Sequence, residues 1–353
     1  MTVIVGAGLS GLLLGYRLKA SGIPFKILEA RERIGGRINT VYDSQSPPIE
    51  MGATWFGNQH IQLKSLLNQL NLDFFEQYMK GTSFFQPFST SPASALPIPS
   101  QPPSYRIVNG TSSIIQELAK RIGRENILLN EQVLSIDFSE RQVNLVSNDR
   151  IHIANRVVLA LPPKLWANHI GIEPMLPKSL VDTALHTHTW MENSIKVALG
   201  YTHPFWRKNG QSGTLFSNSG PITELYDHCN STGNKYALCG FLNSEYGKLD
   251  VKERKKHVLE QLVRVFGSET RELVSYIELD WEREDKTSSR NINPLFPHQN
   301  NGSPIFRNTY YDSRLLISSS ESSSKFAGYM EGAVVSANFT FEKIKAANKA
   351  QKH

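Results

Sequence analysis

Cysteine is almost absent: the 353 residues hold two, Cys229 and Cys239. Two thiols cannot build a disulfide framework or a cysteine-rich zinc site, so both read as reduced. No apolar run approaches the roughly 18 residues that a membrane-spanning helix needs, so no membrane span is expected. Metal-ligand spacing is missing as well. His186 and His188 stand close together without a partner motif and read as structural or surface histidines, so no metal site is expected. The sequence offers neither paired carboxylates nor a Ser–His–Asp pattern. Neither sign of charge dominates, with 38 Lys and Arg against 32 Asp and Glu, a net +6. The densest basic stretches, 252–256 and the tail with Lys343, Lys345, Lys349 and Lys352, lie on helix-like segments. They read as solvated faces, and no nucleic-acid partner is expected. Met1 is followed at once by the strand-like Thr2-Val3-Ile4-Val5, leaving no room for a signal peptide. A cytoplasmic location is expected on that ground.

What is present is an ordinary globular composition, 40% hydrophobic, long enough for two domains at about 150 residues each. Short apolar runs at 2–5 and 25–28 flank a helical pattern at 12–20. Six prolines between 81 and 104 (Pro87, Pro92, Pro97, Pro99, Pro102, Pro103) forbid helix and central strand, and predict an extended loop or linker. A helix is predicted over 112–122, capped by Ser112 or Ser113. Residues 127–161 then alternate like a strand meander and end in a fully apolar run before Pro162-Pro163. Further strands are predicted at 195–201, 237–242 and 315–318, and helices at 253–266 and 328–347.

Between the first strand and the first helix stands Gly6-Ala7-Gly8-Leu9-Ser10-Gly11. Gly6 permits a tight turn, Gly8 lets backbone approach a pyrophosphate, and Gly11 allows close helix–strand packing. The helix start then offers free N–H groups and a positive dipole end to phosphates. The second strand ends at Glu29, where a carboxylate would accept hydrogen bonds from ribose hydroxyls. That context turns a weak glycine pattern into a dinucleotide site, and the acid favours NAD or FAD over NADP. Just beyond lie Ala30, Arg31, Gly36 and Arg37, and the two arginines could neutralise a diphosphate. Along 194–201, Ile195, Val197, Leu199 and Tyr201 form a core face. The opposite face is small except for Lys196, which borders either a cavity or solvent.

Together with four further stretches, these motifs resemble the flavin-containing amine oxidase family, which includes monoamine and polyamine oxidases. The stretches are Pro48 through Gly57 with Gly52-Ala53-Thr54-Trp55, Arg106 through Gly110, residues 191–206 around Lys196, and Gly328-Tyr329-Met330-Glu331-Gly332. The resemblance runs from Val3 to about Ile344. It implies an α/β protein in which a Rossmann-type FAD-binding domain is interleaved with a mixed-sheet α+β substrate domain. By position, 1–76, 106–187 and 283–353 would form the FAD domain, and 77–105 with 188–282 the substrate domain.

The resemblance also implies roles. FAD would contact Gly6, Gly8, Ser10, Gly11, Glu29, Ala30, Arg31, Gly36, Arg37, Gly52, Ala53, Thr54, Trp55, Val133, Trp281, Glu321 and Met330. Lys196 would hold a water near the flavin and assist its reoxidation, and Tyr329 would supply one of two rings flanking the substrate amine. The implied reaction oxidises an amine to an imine, with oxygen as acceptor and hydrogen peroxide as product. A desaturase or a porphyrinogen-type oxidase would use the same fold, and a flavin-binding partner protein without turnover is a third reading.

Three departures from the family pattern carry expectations of their own. Asn291 stands near the position of the second ring, with Phe296 as a candidate substitute. Arg290 stands where a cysteine would link covalently to the flavin, so FAD is expected to bind noncovalently. The chain is also short between Leu72 and Arg106, where the family's substrate domain carries helices. Most of that helical part is expected to be missing, leaving an open site for bulky substrates or for completion by a partner protein or oligomer.

Overall fold

The computed structural model describes residues 1–88, 91–98, 100–148, 150–289 and 295–350. Arg290 and Asn291 lie outside the described residues.

Strand β1 (Thr2–Val5), helix α1 (Leu9–Ala20) and strand β2 (Phe25–Leu28) open the chain. β1 is central to a parallel five-stranded sheet in the order Ile127–Leu128, β2, β1, Arg156–Leu159, Leu315–Ile317. Alternation along the strands explains why the apolar runs are continuous. Ile4 and Val158 point to one core with the leucines of α1 and with Ile115, Val334 and Ile344. Val3, Val5, Val157 and Leu159 point to the other, against Ile136, Phe138 and Leu145. Strands buried on both faces need no polar alternation. The second core is closed by a four-stranded sheet built from the 133–173 region.

A seven-stranded mixed sheet forms the other half. Its order is Leu273–Asp280, Ile195–Tyr201, Tyr236–Leu242, Ile222–Asp227, Gln211–Ser217, Thr82–Gln86, Ser94–Pro97. One face packs Ile195, Val197, Leu199 and Tyr201 with Val258, Leu262 and Phe266 of the helix Val251–Phe266. That helix starts on a capping box between Asp250 and Glu253.

The Pro-rich interval is not the loop or linker expected from its composition. Thr82–Gln86 and Ser94–Pro97 form an antiparallel pair at the edge of this sheet, anchored by Phe84 against Phe266 with centroids 5.2 Å apart. Proline is tolerated there because an outermost strand leaves one row of N–H groups unpaired anyway. The helix Ile61–Leu70 was also absent from the sequence reading. The carboxylate of Glu331, on the last helix Met330–Ala350, accepts from the N–H groups of Gln62 and Leu63 at 3.0 and 2.7 Å. Helix 112–122 lies where expected, but neither Ser112 nor Ser113 caps it: the Ser112 hydroxyl accepts from the Thr40 N–H, and the helix-start N–H groups of Thr111 and Ser112 donate to Glu50 and Thr40. Among the described residues, no helix is long and apolar enough to cross a membrane.

Candidate active site

A cavity of about 1310 Å³ runs from the carboxyl ends of the parallel strands to the inner face of the seven-stranded sheet. Such a crevice, outside the strand ends where the strand order reverses about β1, is where this sheet architecture binds ligands. It exceeds the roughly 300–1,000 Å³ of a drug-sized pocket and has room for a dinucleotide with a substrate.

At one end lies the glycine turn. Gly6 has φ +106, and a Cβ there would meet the Ala160 carbonyl at 2.8 Å. At Gly11 a Cβ would stand 2.1 Å from the Gly6 oxygen, so this glycine serves helix–strand packing and does not reach the cavity wall. Gly8 is different: a Cβ would meet nothing within 4 Å and would project into open space on the wall. The turn is therefore a cradle whose space is kept free for a ligand. Glu29 lies beneath it, buried, accepting from the Ala7 N–H at 2.8 Å and the Arg31 N–H at 3.0 Å. Ser10 donates to the Ser318 carbonyl at 2.6 Å, tying α1 to the end of the fifth strand. Ala30, Gly36 and Val133 complete this wall.

Arg31 and Arg37 both line the cavity, and each is held by protein acceptors. Arg31 donates to Thr287 at 2.6 Å and Glu284 at 3.2 Å. Arg37 pairs with Glu321 at 2.7 Å and donates to Ser320 at 2.8 Å. Glu321 itself departs from expectation. It is fully buried behind Ser319 and Ser320, which form the wall in its place, and its carboxylate meets Arg37 and accepts from the Ser320 hydroxyl at 2.9 Å.

At the other end, Gly52, Ala53, Thr54 and Trp55 face Lys196 across the cavity. At Gly52 a Cβ would stand 2.1 Å from the Arg37 carbonyl, which fixes glycine there. Lys196 is 2% exposed and donates to the carbonyls of Glu50 and Gly52 at 2.8 and 2.7 Å, and to the Thr54 hydroxyl. An ammonium has three donors, and here all three are used. No donor remains for a bridging water while those bonds hold. Burial lowers the Lys196 pKa, with Cys239 and then Glu50 opposing that shift. The ammonium also lies 5.2 Å from the Trp55 ring centroid and 5.4 Å from that of Phe241. Trp281 donates to the Met51 carbonyl at 2.7 Å and closes the wall beside it.

Strand register adds residues that the sequence reading missed. Lys196 pairs with Phe241, and Phe241 with Glu224, so the three share one face of the sheet. Glu224 lines the cavity about 10 Å from Lys196, two strand spacings away. Tyr226, two residues on, donates to Glu224 at 2.9 Å and packs 5.1 Å from Trp55. Only knowledge of the strand pairing could have found them.

Tyr329 and Met330 line the cavity at the start of the 21-residue final helix. Tyr329 is 38% exposed and stacks on His298 at 5.8 Å, while Trp190 lies 5.5 Å from it. Phe296, the candidate second ring, is 80% exposed and lies outside the cavity wall. Among the described residues, Trp190 is the cavity-lining ring that packs against Tyr329. The His186 ring bonds locally to the Asp182 carbonyl, whereas the His188 ring accepts from the His298 N–H, 110 residues away, and neither histidine lines the cavity.

A sequence profile described as "Flavin containing amine oxidoreductase" matches residues 9–106 and 100–340. The chain belongs to that family. It is accordingly a flavin-dependent oxidoreductase of the amine oxidase type. It is similar to a probable flavin-containing monoamine oxidase A of Dictyostelium discoideum, 23% identical over 97% of each chain. It is also similar to putrescine oxidase of Kocuria rosea, 24% identical over 81% of this chain and 82% of that one. A solved cyclohexylamine oxidase from Brevibacterium oxydans IH-35A superimposes with a TM-score of 0.86 at 20% identity, covering 99% of both chains, which speaks to the fold alone. The Dictyostelium alignment spans 452 positions but takes in only 97% of this chain's 353 residues, so about 110 positions are gaps in this chain. The two profile matches meet at 100–106, at the end of the short interval between Leu72 and Arg106.

Proposed function

We propose that the cavity binds FAD noncovalently and that the protein oxidises an amine to an imine, passing the electrons to dioxygen to give hydrogen peroxide. The observation that carries this reading is Lys196, a buried ammonium fixed to the main chain of 50–54 on the cavity wall. FAD, when bound, supplies the two-electron acceptor. The Gly6–Gly11 turn and the start of α1 would hold its pyrophosphate, Glu29 its ribose, and Val133 its adenine end. Residues 52–55 and the start of the final helix would lie against the ring system. Lys196 would place a fixed positive charge there, favouring electron transfer to oxygen by electrostatics. Tyr329 would flank the substrate with Trp190.

Both cysteines support a noncovalent cofactor. Cys229 packs against Asp227 and Cys239 against the Glu50 carbonyl, both buried and off the cavity wall.

The substrate is an amine, and Glu224 would accept a second cationic group on it. The open end, where Tyr329 and Met191 are 38% and 36% exposed, suits a bulky amine or closure by a second protein. Sheet membership supports dividing the chain into a flavin-binding unit (1–76, 106–187, 283–353) and a substrate-facing unit (77–105, 188–282). The test is a purified protein whose yellow colour is released by denaturation and which yields peroxide with at least one amine. A flavin that stays with the denatured chain, or no peroxide across mono-, di- and polyamines, contradicts it.

A further inference from the structure

Glu50 is a buried acid that nothing in the amine-oxidising scheme uses. It is 3% exposed, on the strand Ile49–Glu50, and lines a second, smaller cavity of about 110 Å³ together with Arg106. Its carboxylate accepts from the Thr111 N–H at 2.5 Å, at the start of the helix Ser112–Ile122, and from the Thr40 hydroxyl at 2.9 Å. The Thr40 oxygen in turn accepts from the Ser112 N–H at 2.9 Å, so its one proton is directed at Glu50. Both carboxylate oxygens thus receive donors, and neither faces an acceptor. Burial pushes the Glu50 pKa up, and the Thr111 N–H, the Lys196 charge and the Thr40 hydroxyl oppose it; a carboxylate that meets only donors, at a helix start that favours negative charge, suits the ionised acid.

The main chain of Glu50 makes a second set of bonds. Its carbonyl accepts from Lys196 at 2.8 Å and its N–H meets His228 Nε2 at 3.3 Å. Arg106, 5% exposed, donates to the Cys229 carbonyl; among the described residues it pairs with no carboxylate and its Nε has no hydrogen-bond partner. Lys196 and Arg106 are therefore two buried cations whose nearby acids include Glu50. Asp227, the other acid near Arg106, is already paired with Arg207 at 2.7 Å.

We propose that Glu50 is a positioning residue of the flavin site, a fixed negative charge that keeps Lys196 an ammonium locked onto 50–54. It acts through Lys196 and touches neither flavin nor substrate. The proposal rests on the flavin reading of the cavity, but not on amine turnover. The groups facing this pair are Arg106 from the strand Ser104–Ile107, Cys239 from Tyr236–Leu242, His228 beyond Ile222–Asp227, and Tyr42 beyond Thr40–Val41. Burial keeps both the Cys239 thiol and the His228 imidazole neutral, and a raised Tyr42 stays protonated. Glu50 is thus the anion opposing the loss of the Lys196 proton.

The test uses the FAD-loaded protein and reads the bound flavin's absorption spectrum against pH, without any amine. K196M identifies the transition that belongs to Lys196 by abolishing it. In E50Q, which keeps the shape and removes the charge, that transition should move to lower pH by about one unit. In E50D, which keeps the charge, it should stay with the wild type. A purely structural role predicts weaker FAD binding in both variants with an unmoved transition, and that result overturns the proposal. So does an E50D transition displaced downward by the full unit, a result that can be read even where E50Q does not fold. A chain that binds no FAD instead overturns the underlying reading.

Discussion

Lys196 Nζ lies 2.7 Å from the Gly52 carbonyl oxygen, joining the seven-stranded sheet to the segment that follows the parallel sheet's glycine turn. The bond bridges 144 residues of sequence and sets a buried charge on the cavity wall. K196M should bind FAD, be reduced by substrate, and then reoxidise about 100-fold more slowly in air. Stopped-flow mixing of reduced protein with oxygen measures this directly, and an unchanged rate would remove Lys196 from the reaction.

The glycine turn separates a binding role from a folding role. Gly8 has extended backbone and free space around its absent Cβ, whereas Gly6 and Gly11 are closed in by main-chain atoms. G8V should therefore fold with an unchanged melting temperature yet bind FAD at least about tenfold more weakly. G11V should lose stability outright. Calorimetry of the FAD-free protein and fluorescence titration with FAD distinguish the two.

His228 makes stability depend on pH. Burial, with Arg106 and Lys196 nearby, holds its imidazole well below the ordinary 6.5. Below that value the unfolded chain binds a proton that the folded chain refuses, so stability is lost as pH falls from about 6.5. By pH 5 this one group should cost about 2 kcal/mol. Urea unfolding at pH 7.5 and pH 5 should show a drop smaller by about that amount in H228Q. Equal drops in the two proteins would exclude His228.

Glu224 should sort substrates by charge. E224Q should raise KM for a diamine about tenfold, the worth of a charge-assisted hydrogen bond, while leaving a monoamine of equal length unchanged. Equal effects on both would mean that Glu224 shapes the wall without reading charge.

Much of this arrangement could be read in the sequence because its signals are local. The strand–glycine–helix–strand order marks the cradle within thirty or so residues, and period-two alternation separates the core face at Ile195, Val197 and Leu199 from the face with Lys196. What stayed hidden depends on distant pairing. Glu224 joins Lys196 only through the register with Phe241. Trp190 meets Tyr329 across 139 positions, so no local pattern carries it. Glu321 looked like a cofactor ligand by position, but Arg37 claims its carboxylate. Composition misled once, at Thr82–Gln86 and Ser94–Pro97, because proline density cannot distinguish a loop from an edge hairpin.

Anaerobic titration of the purified, FAD-loaded protein with a panel of mono-, di- and polyamines tests the central claim most directly. At least one amine should bleach the flavin absorbance completely, and admitting air should restore it with one equivalent of hydrogen peroxide. A flavin that dithionite reduces but that no amine in the panel bleaches would contradict amine oxidation as this protein's reaction.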